Sequence, residues 1–202
     1  IPLRLVGSEM CIRDRFMGGF SRGLIAHELA HQWFGNKITC GSWQDIWLNE
    51  GFATYLSGLI IEHLDGDSSF NSWKQQKVNS ITSQTYGSVY VPAQDTLTVG
   101  RVFSSRLSYN KGSMVLHMLR QKIGDDLFYE SLQNYLSNPQ FSYGYANSNE
   151  FISSVEQTTE MELSEFFDDW LFNEGYPSYV AEWGQPSSEL QIILSQQSSH
   201  ES

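Results

Sequence analysis

The sequence predicts a mainly α-helical domain that gives way to strand near its C-terminal end. Apolar residues recur at three- and four-residue spacing from Leu24 to Phe172, as core-facing helices require. Glycine, proline, asparagine and aspartate interrupt that pattern where helices would end. Beyond it, Leu190-Gln191-Ile192-Ile193-Leu194 reads as a strand between the polar pair Ser187-Ser188 and a Gln/Ser-rich tail.

The elements follow in order. Gly18-Gly19 and Ser21 precede an apolar pattern at Leu24, Ile25, Leu29 and Trp33, which stops near Gly35-Asn36. Ser42-x-x-Asp45 resembles a capping box opening a second helix that runs to about Leu64. Asp65-Gly66-Asp67-Ser68 breaks it and caps a third helix towards Thr85. Residues 86–100, with Gly87, Pro92 and Gly100, read as a loop or short crossing strand. Further helices are expected at about Tyr109–Ile123, Asp125–Leu136, Ser148–Gln157 and Ser164–Phe172, separated by Gly124, Asn138-Pro139 and Gly175-Tyr176-Pro177. Residues 1–15 stand apart. Val6–Arg15 has neither helical nor strand periodicity and looks like translated sequencing adapter, so this segment is set aside as suspect or irregular.

Composition narrows the function. Hydrophobic residues at 40% and aromatics at 14% of 202 residues can fill a core. Twelve basic against 23 acidic side chains give a formal charge of −11, which argues against a nucleic-acid partner. Runs such as Leu59-Ile60-Ile61 are far too short to cross a bilayer. Cys11 and Cys40 make no disulfide framework and no C-x-x-C pair.

His27-Glu28-Leu29-Ala30-His31 is an H-E-x-x-H motif inside the first helical pattern. Positions i and i+4 stack one turn apart, so both imidazoles reach one ion. Glu28 projects beside that ion, where it can take a proton from water. Glu50 follows His31 by nineteen residues, on the second predicted helix, and a short connection can return its carboxylate to the first. Two imidazoles and a carboxylate suit Zn2+, one per chain, with the fourth position left to water. Other polar residues read as structural. His117 is a packing or exposed histidine, and His63 and His200 keep no metal spacing. Cys40 is a buried thiol, Asp125-Asp126 favours a helix N-terminus, and Asn49 either supports a ligand or caps a helix.

The segments H-E-L-A-H-Q-W-F-G-N (27–36), W-L-N-E-G-F-A (47–53), Y-N-K-G (109–112) and F-F-D-D-W-L-F-N-E-G-Y-P (166–177) resemble the aminopeptidase N family of gluzincin metallopeptidases. That family also contains a leukotriene epoxide hydrolase. The resemblance implies a thermolysin-like, helical zincin C-lobe over residues 16–176, with residues 177–202 opening a β-sandwich domain. It implies His27, His31 and Glu50 as zinc ligands and Glu28 as general base. Tyr109 would donate to the oxyanion; by position alone, a tyrosine at a helix start is a packing residue.

The family's upstream G-x-M-E-N motif, whose glutamate binds the substrate's free amine, does not occur here. The chain is therefore expected to be an internal fragment. The expected activity is zinc-dependent release of N-terminal amino acids from peptides by an activated water. The alternatives are an endopeptidase or epoxide hydrolase on the same site, or an inactive zinc-binding interaction domain. A secreted or periplasmic setting is favoured over the cytoplasm, with any signal segment lying upstream. Oligomeric state and side-chain preference are not encoded in these motifs.

Overall fold

A computed structural model describes residues 21–185 and 189–199. The segment 1–15, Gly18-Gly19, Ser187-Ser188 and His200 lie outside the described residues. Helix α1 spans Arg22–Ala30, opened by the Ser21 hydroxyl, which accepts from the Leu24 N–H at 3.2 Å. Strand β1, Ile38–Cys40, follows a tight turn. Ser42 then caps a 3-10 turn, Trp43–Asp45, before helix α2 runs from Trp47 to Ile81.

The expected capping box is thus built differently. The Ser42 Oγ accepts from Gln44 and donates to Asp45 Oδ2, but the turn it opens is 3-10. The break expected at 65–68 falls at Gly66, whose φ of +79° and ψ of 178° are non-helical and divide α2 into two helical segments. The chain continues through helix α3 (Val99–Val102), a π-helical turn (Ser105–Lys111), and helices α4 (Gly112–Ile123) and α5 (Asp125–Ser137). Tyr109 therefore sits in a wide turn ahead of α4. Strand β2 (Gly144–Ala146) precedes helix α6 (Ser148–Thr159), which carries a true capping box from Asn147 and Glu150. Helix α7 (Ser164–Phe167) passes into a second π turn, Asp168–Phe172.

Aromatic rings fill the centre. Phe34 stacks on Phe52 with centroids 4.1 Å apart, and Trp47, Tyr135 and Phe151 pack edge-on or stacked around them. Trp47, Phe52, Tyr55, Phe128, Phe151 and Phe167 are all fully buried. Each such side chain contributes about 1.5–3 kcal/mol through its removal from water.

Long-range bonds brace the elements around β1 and the start of α2. Strands β1 and β2 pair in parallel, Ile38 opposite Gly144 and Cys40 opposite Ala146. Just beyond, buried Asp45 accepts through Oδ1 from the Ser148 N–H at 2.9 Å and the Ser148 hydroxyl at 2.7 Å. The Trp47 indole donates to the same hydroxyl oxygen at 2.8 Å.

Strand β3 (Pro177–Gly184) pairs antiparallel with β4 (Gln191–Ser198), extending the strand expected at 190–194. Among the described residues, no helix is long and apolar enough to cross a membrane.

Candidate metal centre

Helix α1 and the turn that follows it face their chemical residues inward. His27, Ala30, His31 and Phe34 follow i, i+3, i+4, i+7 spacing and are buried, while Ile25, Leu29 and Trp33 are 54%, 57% and 46% exposed. The carboxylate of Glu50, one turn into α2, is 1% exposed and meets both imidazoles.

The three candidate ligand atoms form a near-equilateral triangle. His27 Nε2 lies 3.2 Å from His31 Nε2, and Glu50 Oε2 lies 3.3 Å from the first and 3.4 Å from the second. Despite this closeness, Glu50 Oε2 accepts no well-directed hydrogen bond. Tetrahedral ligands at about 2.0–2.1 Å from zinc stand about 3.3–3.4 Å apart, so the triangle has the size of one zinc face. The His31 ring makes the chemistry explicit. Its Nδ1 lies 2.9 Å from the Phe34 carbonyl, which can only accept, so Nδ1 carries the proton and Nε2 keeps its lone pair. The donor set and its orphaned buried oxygen fit a zinc ion.

Electrostatics agree. Burial alone would raise the Glu50 carboxyl, yet His27 and His31 hold it down at about 2. Burial alone would lower His31, but Glu50, the Phe34 carbonyl and Glu28 outweigh it and raise the ring above its ordinary value. The negative field that favours a proton on His31 would equally favour a metal cation in the proton's place.

Glu28 stands next to these ligands, and both its carboxylate oxygens are buried without a hydrogen-bond donor among the described residues. A carboxylate kept in this way is costly unless something else engages it. Tyr109 stacks its ring on His27, with centroids 5.9 Å apart and planes 11° from parallel. Two residues on, buried Lys111 donates to the carbonyls of Asn173 and Gly175 at 3.3 and 3.1 Å, fixing the π turn against the end of the helical region. Burial, helped by the Arg106 cation, pushes the Lys111 amine down to about 8.

All five residues singled out by sequence therefore come together. The supports were less visible. Asn49 caps no helix; its Oδ1 accepts from the Cys40 N–H at 3.1 Å and ties the start of α2 to β1. Gly35, at φ +139°, lets the backbone pass the His31 ring. Cys40 is a buried thiol, and burial, with Asp45 and Glu50 nearby, pushes it up to about 12. His117 lies near the Tyr55 hydroxyl at 3.3 Å, away from the ligands.

Residues 21–170 match the peptidase family M1 domain. The chain belongs to peptidase family M1. It is 34% identical to a leucyl aminopeptidase of Saccharolobus solfataricus over 161 residues, 76% of this chain and 20% of that protein. Among solved structures, an M1 zinc metallopeptidase from Deinococcus radiodurans superimposes with a TM-score of 0.67 at 26% identity, covering 77% of this chain and 34% of that one. Leukotriene A4 hydrolase from Saccharomyces cerevisiae gives 0.65 at 27% identity, covering 76% and 26%. This M1 chain thus spans about a fifth of the length of the curated relatives it matches. Its mainly helical architecture is that of the M1 metallopeptidase structures.

Proposed function

We propose that this chain is the metal-binding part of a zinc aminopeptidase, which hydrolyses the first peptide bond of substrates with a free N-terminus. The observation that carries this reading is the zinc-sized triangle of His27, His31 and Glu50 beside the unpartnered carboxylate of Glu28. The aminopeptidase relatives support the choice of substrate.

His27, His31 and Glu50 would hold the zinc ion, which when bound would supply Lewis acidity to bring a water's pKa to about 7 and to polarise a carbonyl. Glu28 takes the proton of the attacking water and returns it to the departing amine. Tyr109 donates its hydroxyl hydrogen to the oxyanion that develops on the carbonyl oxygen. His31 keeps its ligating tautomer through the Phe34 carbonyl, so it acts as a fixed donor and not as a base.

Two measurements on the full-length enzyme containing this chain test the assignment: zinc content after dialysis and hydrolysis of an amino-acid amide. Glu28→Gln keeps zinc near one per chain while turnover falls by about two to four orders of magnitude. His31→Ala and Glu50→Ala lose zinc, and activity follows the metal. Loss of metal from Glu28→Gln as readily as from His31→Ala overturns the general-base role. The same amide with a blocked amine should not be cleaved; cleavage makes the enzyme an endopeptidase. A zinc-loaded protein that cleaves neither substrate is not a peptidase, and the likeness to leukotriene A4 hydrolase then favours epoxide hydrolysis.

A further inference from the structure

We infer that the backbone contact between Gly51 and Gly112 is a positioning device that sets the Tyr109 hydroxyl relative to the metal ligands. The inference rests on the reading of Tyr109 as oxyanion donor. Gly51 directly follows Glu50 on α2, and Gly112 opens α4 directly after the π turn that carries Tyr109. Both are buried. A Cβ on Gly51 would lie 3.1 and 3.2 Å from the Gly112 carbonyl carbon and Cα, and 3.3 Å from the Ser108 carbonyl oxygen. A Cβ on Gly112 would lie 3.3 Å from Gly51 Cα and 3.4 Å from Trp47 Cβ. The obstacles around Gly51 are backbone atoms, which cannot swing aside as the end of a side chain can. A methyl group there must part α2 from the 108–112 backbone by a few tenths of an ångström.

Tyr109 lies between the two contact points, Ser108 and Gly112, so it travels with that displacement. The ligands are held by other bonds: His31 by the Phe34 carbonyl, and the start of α2 by Asn49 and the Cys40 N–H. The contact therefore acts on the distance from phenol to metal site, and because Gly51 adjoins Glu50 and Tyr109 stacks on His27, zinc content reports whether the ligand set moves as well. A catalytic group displaced by a fraction of an ångström loses much of its contribution to the transition state and little to ground-state binding.

The test is a double-mutant cycle in the full-length enzyme, with Gly51→Ala and Tyr109→Phe singly and together. In Gly51→Ala, zinc stays near one per chain and KM holds, while kcat falls on the order of tenfold. Affinity for a phosphinic dipeptide, whose tetrahedral oxygens mimic the oxyanion, weakens with kcat. In the Tyr109→Phe background, Gly51→Ala costs less than about twofold, because the group it misplaces is already gone. An equal loss in both backgrounds, or full kcat in Gly51→Ala, overturns the positioning role and leaves the Tyr109 reading intact. Full kcat in Tyr109→Phe alone overturns that reading and the inference with it. If Gly51→Ala does not fold, Gly112→Ala enters the same cycle; failure of both to fold makes the contact a folding requirement and overturns the inference.

Discussion

At Gly35 the backbone turns through φ +139° and passes so close to His31 that an added Cβ would stand 3.2 Å from its Nδ1 and 3.2 Å from its carbonyl oxygen. That approach aims the Phe34 carbonyl at the ring and settles which nitrogen can ligate. Gly35→Ala combines a strained dihedral with a methyl pressed on the ligand. Its zinc affinity should drop by about ten- to a hundredfold, the cost usual for disturbing a ligand's supporting partner. Competition with a chelating dye measures it, and an unchanged affinity would show that the turn is incidental. His27, His31, Glu28 and Glu50 were legible in the sequence because helical periodicity alone stacks the imidazoles, and one short connection returns the carboxylate. Gly35 was legible only as a helix stop and Asn49 only as one of two alternatives, ligand support or helix cap, since their contacts depend on the path of the chain after α1.

Helices were readable where a cap or breaker marks them: Ser21 ahead of α1, Gly124 between α4 and α5, and Gly66 at the kink. The pair β1–β2 was not, because three residues carry no period and each strand exists only through its partner. Both π turns also escaped, since they span only seven and five residues, too few for a changed period to show in the apolar pattern. The corner joining the 3-10 turn to α6 depends on one carboxylate. Asp45→Ala removes the acceptor of two buried Ser148 donors and a negative charge at a helix N-terminus. Stability should fall by about 2–4 kcal/mol, read as a lower urea midpoint at unchanged m-value. Asp45→Asn, which keeps an acceptor oxygen, should lose less; equal loss in both variants would sink the hydrogen-bond account.

Across the whole molecule, stability should depend on pH through His117. Its burial, with the Lys74 and Arg120 cations nearby, pushes the ring down to about 4, against the opposing Glu62 and Asp125 carboxylates. The unfolded chain binds this proton near pH 6.5 and the folded chain only near 4, so acid favours unfolding across that window. The contribution is fully present above pH 6.5 and lost as pH falls to about 4. His117→Gln should flatten Tm against pH between those limits relative to the parent; parallel curves would refute it. The mainly helical class was legible in the sequence, but the outer surface was not. Ile25, Leu29 and Trp33 line a groove of about 590 Å³ with Leu56, Leu59 and Leu132, and Trp183, Ile192 and Leu194 stand exposed on the β3–β4 hairpin. The brace between Asp45 and Ser148 also carries a lesson about time. Synthesis delivers the ligands from His27 to Glu50 in one continuous stretch, but Ser148 leaves the ribosome 103 residues after Asp45. Closing so long a loop is entropically costly until the intervening helices have formed. The proposed zinc donors are therefore complete in the growing chain about a hundred residues before the brace beside them can close, so the centre should gain its donors before its rigidity.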